Sequence, residues 1–283
     1  MKRPKLNFRF IAGLIGGFII LIYGVSALMF MPLPTPRNVQ GKLIPVERYP
    51  ASSGVSQQPE ETPEGILAPS MTSEDVSVST LPAGETITYA IKSLKVNVGK
   101  ATLTYHGIED LNGRPVYYIQ FVARGMNFLD EEKIYASTEN FYPVMIKRDL
   151  NIFGKKEKIV EEYDHSQGTV KITKSVNNKE TEQTIKKSGR LDNIYCFIYR
   201  YRQEGKFQIG DSFLISLPTQ DIAINLTKMT KLKAAGEQYE SYYMMSTPSK
   251  YKVWFDTSAQ KIPLKIAGSV GLSNTDMTMT SYK

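Results

Sequence analysis

From Gly84 onward the chain alternates apolar and polar residues with a period of two, broken at intervals by turn signals. Ala101, Leu103 and Tyr105 fall on one side of such a stretch and Thr102, Thr104 and His106 on the other, the pattern of a strand with one buried face. Asn112 and Gly113 then mark a tight turn, and Pro115 to Ala123 (PVYYIQFVA) returns as the second arm of a hairpin. The same reading predicts strands over Lys133 to Ser137, Val144 to Ile152, Glu157 to Tyr163 and Thr169 to Thr173. Further strands are predicted over Ser212 to Leu217, Ile222 to Leu232, Ser241 to Met245, Tyr251 to Phe255, Ile262 to Ile266 and Ser269 to Thr280. Turn residues at 165–168 and 176–179 separate some of them.

One segment departs from this rhythm. Leu191 to Arg202 (LDNIYCFIYRYR) places Leu191, Ile194, Tyr195 and Ile198 at helical spacing, with Asp192 suited to a first turn. A helix apolar on most sides is what an open sheet needs to cover its inner face. The elements therefore predict a mainly β fold, one curved antiparallel sheet around a single helix, with short turns joining consecutive strands.

Ahead of this domain the pattern changes twice. Phe10 to Met31 is a run of 22 residues without a charge, long enough to cross a bilayer as a helix. Lys2, Arg3, Lys5 and Arg9 precede it, so the positive-inside rule predicts a cytoplasmic N-terminus and translocation of everything after Pro32. Leu28 to Met31 carry the apolar run past the small residues Val25, Ser26 and Ala27; the alternative is an export signal cleaved near Ala27. Between Pro32 and Pro82 the composition shifts to Pro, Ser, Thr, Glu and Gln, too polar to bury a core, and predicts a flexible linker. The expected organisation is thus a membrane anchor over 1–33, a linker over 34–83 and a periplasmic β-rich domain over 84–283.

Composition narrows the functional classes. The net charge of +7 is divided among the basic N-terminus, an acidic linker and a domain whose Lys and Arg are interspersed with acids. Nothing concentrates the basic residues with stacking aromatics, so nucleic acid is not an expected partner. The single cysteine, Cys196, allows no internal disulfide and reads as a buried thiol in the helix. His106 and His165 are too isolated for a zinc site, no nucleophile elbow or phosphate loop is visible, and no cofactor or metal is expected. The carboxylate runs Asp130, Glu131, Glu132 and Glu161, Glu162 read as solvated surface. The chain is not expected to be an enzyme. Tyr239, Tyr242, Tyr243, Met244 and Met245 suit either core packing or the mouth of an apolar cavity.

Several stretches carry a family resemblance: GETITYAIKSLKVNVGKATLTY from Gly84, NGRPVYYI from Asn112, the long run from Ile134 (IYASTENFYPVMIKRDLNIFGKKEKIVEEYDHSQGTVKI) and KVWFDTSAQKIPLKI from Lys252. They resemble the bacterial envelope proteins grouped as domain of unknown function 3108 (DUF3108). The resemblance implies a half-open β-barrel similar to the Lol-type (LolA/LolB-like) lipoprotein carriers, with a greasy cavity beneath the helix. It transfers no ligand residues. Alternation nominates Tyr89, Leu103, Tyr105, Ile119, Phe121, Ile194, Ile198 and Trp254 as the inward set that would line such a cavity. Two partners fit: a lipid, acyl chain or lipoprotein held in the sheet, or another envelope protein engaged by a sheet edge, with the chain as an assembly factor.

Overall fold

The computed structural model describes residues 81–270 and 273–283. The first meander comprises β1 (Glu85–Ser93), β2 (Val96–Leu111), β3 (Arg114–Gly125), β4 (Phe128–Ser137), β5 (Pro143–Ile152), β6 (Lys155–Asp164), β7 (Thr169–Val176) and β8 (Lys179–Lys186). The helix α1 (Ile194–Glu204) follows. The second meander comprises β9 (Ser212–Ser216), β10 (Asp221–Ala234), β11 (Glu237–Thr247), β12 (Tyr251–Asp256), β13 (Pro263–Val270) and β14 (Ser273–Tyr282). All fourteen strands form one antiparallel open sheet in the order β8-β7-β6-β5-β4-β3-β2-β1-β14-β13-β12-β11-β10-β9. The chain thus starts in the middle of the sheet, walks to one edge, crosses through α1 to the other edge, and walks back until β14 pairs with β1.

Tight turns make this walk possible. Asn112 (φ 57°) and Gly113 (φ 83°) take the left-handed pair of angles that a two-residue hairpin turn demands. Asn177 and Asn178 do the same between β7 and β8. Curvature brings strands distant in the order together: the Ala235 amide donates to the Met279 carbonyl at 2.9 Å across three intervening strands. The two edges meet at one point, where Leu191 forms a parallel bridge with Ser216 and Lys187 Nζ reaches Asp221 at 2.7 Å.

Inward residues from both meanders and from α1 form one contiguous core. The helix buries Tyr195, Cys196, Phe197, Ile198, Tyr199, Tyr201 and Arg202. Asn193 caps it, its side chain accepting from the amides of Tyr195 and Cys196. The helix therefore starts three residues after the predicted Leu191. Asp192 lies ahead of the cap, not in the first turn, and is buried in an ion pair with Arg200.

Two strand assignments also change. β8 escapes the alternation because it is an edge strand, polar on both faces, and its sequence KETEQTIK carries almost no apolar signal. Residues 269–270 belong to β13, so the predicted single strand from Ser269 to Thr280 is in fact the end of one strand and most of the next. The predicted membrane run and nearly all of the predicted linker lie outside the described residues. Among the described residues no helix is long and apolar enough to cross a membrane.

Candidate functional site

Of the eight residues predicted to face inward, Tyr89, Leu103, Tyr105, Ile119, Phe121 and Ile198 are buried in the core, and Ile194 packs against it. Phe121 stacks on Tyr195 at 4.7 Å and Tyr105 meets Tyr199 at 5.5 Å, so the helix sits directly on the β2–β3 hairpin. The Tyr89 hydroxyl donates to the Pro263 carbonyl at 2.8 Å. Trp254 is the correction. Its neighbours Val253 and Phe255 take the inward positions of β12, which turns Trp254 to the outer face against Tyr243 at 4.8 Å and beside Lys265. The neighbouring Tyr-Met stretch splits in the same way: Met244 is fully buried and Tyr242 packs on Phe207, while Tyr243 faces out.

Two arginines mark opposite ends of α1, one within its last turn and one on the sheet beneath its start. Arg202, in its last turn, holds Glu85 of β1 through two bonds of 2.6 Å, with both side chains 0% exposed. Its Nε donates to the Gln260 carbonyl at 3.0 Å, and the Tyr282 hydroxyl donates to Glu85 at 3.1 Å. The helix is thereby fastened to β1, β14 and the turn before β13. One positive charge meets one negative charge, and several of the remaining hydrogen-bonding positions are filled.

Arg148 of β5 lies under the other end, and its surroundings overturn the expectation for the carboxylates. Asp130 and Glu132 sit two apart on β4, so they share a face with Phe128, Ile134 and Ala136 and point into the interior. Arg148 donates Nε to Asp130 Oδ1 at 2.8 Å and Nη2 to Oδ2 at 2.7 Å, and Nε lies 3.2 Å from Glu132. Glu161 of β6 comes close enough to feel the same arginine and accepts from the Tyr163 hydroxyl at 2.5 Å. Only Glu131 and Glu162, on the alternate positions, meet the solvated-surface expectation in part, Glu162 being exposed.

Three carboxylates thus share one guanidinium, and the imbalance shows in their proton affinities. Burial pushes Glu132 up to about 7, against the pull of Arg148 and with help from Asp130 and Glu161. Burial raises Glu161 as well, although Tyr163 and Arg148 oppose it. The Tyr195 hydroxyl feels Glu132 and Asp130 and is raised well above its ordinary value by burial. Unlike the Arg202 side chain, that of Arg148 is 15% exposed. The inner face continues outward over β6–β8, where Tyr163, Val176, Gln183 and Ile185 remain only partly buried and Lys174 pairs with Glu157 at 2.7 Å.

The other candidates are unremarkable in place. His106 is exposed, stacked on Tyr118 and 3.2 Å from Gln120, and His165 donates from Nε2 to the Pro143 carbonyl at 2.7 Å. The Cys196 thiol is fully buried, and burial raises it well above the usual thiol range. Among the described residues, no three His, Cys, Asp or Glu side chains are arranged to hold a metal ion.

The family model described as Protein of unknown function (DUF3108) matches residues 86–280, from β1 almost to the end of β14. The chain belongs to the DUF3108 family. This DUF3108 domain is similar in structure to a β-barrel-like protein of domain of unknown function DUF1849 from Brucella abortus, at 8% identity and a TM-score of 0.45, over 71% of this chain and 97% of that one. It is also similar to a candidate lipoprotein from Parabacteroides distasonis, at 10% identity and a TM-score of 0.26, over 71% of this chain and 96% of that one. No curated protein matches it. In the DUF3108 domain described here, the partly enclosed Arg148 group and the adjoining inner face of β6–β8 form the candidate site.

Proposed function

We propose that the chain is a membrane-tethered binding module of the bacterial cell envelope, holding an amphiphile such as a lipid, an acyl chain or the lipid-bearing end of a lipoprotein. The observation that carries this reading is uneven cover. A helix of 11 residues is about 16 Å long. Fourteen strands at about 4.8 Å spacing extend some 60 Å around the curve. The helix seals the inner faces of β1–β3 and of β12, whose Ile87, Tyr89, Leu103, Ile119 and Phe255 are fully buried. On β6 and β7 Ile159, Val170 and Ile172 are buried as well, and Tyr163, Val176 and Ile185, toward the β8 edge, remain partly open. An acyl chain laid along those partly open side chains would bring its polar end to Arg148, Glu132 and the Tyr195 hydroxyl. The apolar run from Phe10 to Met31 and the linker would keep the domain beside the membrane that supplies such ligands.

The test is to extract the full chain from native envelope in mild detergent and analyse what accompanies it by mass spectrometry. Bound lipid or acylated peptide should fall sharply in Ile185→Trp, which fills the open face without touching the Arg148 group. A preparation free of amphiphile, or one whose load is the same in the variant, sinks the reading.

A second reading has one observation behind it. Leu214 is exposed on the edge strand β9, whose outer edge is bridged only at Ser216 among the described residues, a place where a strand from another envelope protein could add. Crosslinking through a reagent placed at Leu214 that captures one dominant protein, undiminished in Ile185→Trp, would favour it over ligand binding.

A further inference from the structure

Four of the large apolar side chains most exposed in the domain lie together at one end of the first meander. They are Leu94 (59% exposed), Val96 (53%), Met126 (81%) and Phe153 (50%). Leu94 and Val96 belong to the β1–β2 hairpin, Met126 to the β3–β4 turn and Phe153 to the β5–β6 turn. Because alternate turns of a meander fall at the same end, these three tips are neighbours. The Phe153 amide donates to the Asn127 carbonyl at 2.8 Å, joining two of them directly. Turns at the opposite end carry Asn112 and Gly113, Glu139 and Asn140, and Ser166 and Gln167, all polar or small.

Two of the four are also in the wrong conformation for their residue type. Leu94 has φ 47° and Phe153 has φ 48°, at the turn position where Asn or Gly normally stands, as Asn112 and Asn177 do elsewhere in this sheet. A side chain with a Cβ costs roughly 1 kcal/mol there. Placing it in water adds a hydration cost and gains no packing. The charge around the tips is basic: Lys95 shares the first turn, Lys155 and Lys156 follow the third, and all three are exposed with no acidic partner among the described residues.

We propose that this rim docks on an anionic lipid bilayer, with Leu94, Val96, Met126 and Phe153 entering the boundary between headgroups and acyl chains while the lysines meet the phosphates. The inference concerns the orientation of the domain on a membrane and stands apart from whether its interior holds a ligand. A protein partner would also bury apolar tips. The ring of uncompensated lysines favours the phosphate-rich surface.

The full chain tests this, because its one native thiol, at Cys196, is buried and unreactive. An environment-sensitive dye is attached to Met126→Cys, and in a second preparation to Asn112→Cys at the other end. Each is mixed with vesicles of phosphatidylethanolamine and phosphatidylglycerol containing brominated acyl chains, or with brominated phosphatidylcholine alone. The Met126 dye should be quenched several-fold more strongly than the Asn112 dye, and only in the anionic vesicles, with the difference falling as salt is raised. Adding Leu94→Asn and Phe153→Asn should abolish most of the quenching while leaving the thermal midpoint unchanged or higher, since Asn suits both turn positions. A Met126 dye that stays in water overturns the proposal and leaves the rim to a protein partner. Equal quenching at both ends, or full quenching in the double variant, overturns it too.

Discussion

The two arginines at the ends of α1 solve the same electrostatic problem to different degrees. Around Arg202 the charges balance, water is excluded and every element of the pair is braced by a further bond. Around Arg148 the acids outnumber the base and part of the group reaches solvent. A buried ion pair gains little over well-packed apolar residues of the same size, so neither arrangement is explained by stability alone. The Arg202 pair explains itself as a lock that fixes one end of the helix to the first and last strands. The Arg148 group joins only the adjacent strands β4 and β5, and its surplus acidity and residual openness are the features that the proposed ligand site would use.

The sharpest break in this comparison comes from removing each arginine. Arg202→Met should strand Glu85 in a sealed interior and cost about 3–5 kcal/mol, read as a shift in the urea unfolding midpoint. Adding Glu85→Leu should restore most of that loss, because the cost belongs to the orphaned charge. If the double variant is no better than the single, the pair contributes more than charge balance.

A smaller effect separates the two sites by pH. Glu132 titrates near 7 in the fold against an ordinary 4.5, and Glu161 is raised in the same direction, so the folded chain holds protons that the unfolded chain has released. Stability from this group is therefore greatest below about 4.5 and declines as pH rises through 7, by on the order of 3 kcal/mol. Asp164 and Asp221, held low by hydrogen bonds, titrate below that window and act in the opposite sense. Glu132→Gln should flatten the decline between pH 5 and 8; an unaltered profile would show that Glu132 is not the proton holder.

The smallest contrast uses two hydroxyls. Tyr89→Phe removes a buried hydrogen bond to Pro263 near the Arg202 lock and should cost about 1–2 kcal/mol. Tyr195→Phe removes a hydroxyl at the edge of the Arg148 group and should change stability by less than about 0.5 kcal/mol. Equal losses in the two thermal melts would place an unseen partner at Tyr195.

Much of the fold was legible because alternation is a direct imprint of a one-sided sheet. Leu103, Ile119 and Phe121 announce their burial by spacing alone. β8 was not legible, since its only apolar residue is Ile185 and the rest of this edge strand is polar, which leaves no hydrophobic period to read. Trp254 failed for the opposite reason: in KVWFD three apolar residues run together, and nothing local says which parity is inward. The candidate site was hidden by a habit of reading acids as surface, yet a signal existed. Counting back by twos from Ala136 and Ile134 lands on Glu132 and Asp130, so their inward parity follows from their neighbours even though their chemistry argues against it. Glu161 lacks such a guide except its distance of two from Ile159.

The pairing of β1 with β14 has a consequence for assembly. The strand made first among the fourteen finds its second neighbour only when the strand made last has been synthesised, by the register that joins Ile87 to Tyr282, 195 residues apart. Until then the nascent chain holds two ribbons with raw edges facing each other, and both would be open to capture by chaperones or by a second copy of the same chain. Loss of that final strand would accordingly leave two half-built sheets rather than a slightly shortened one.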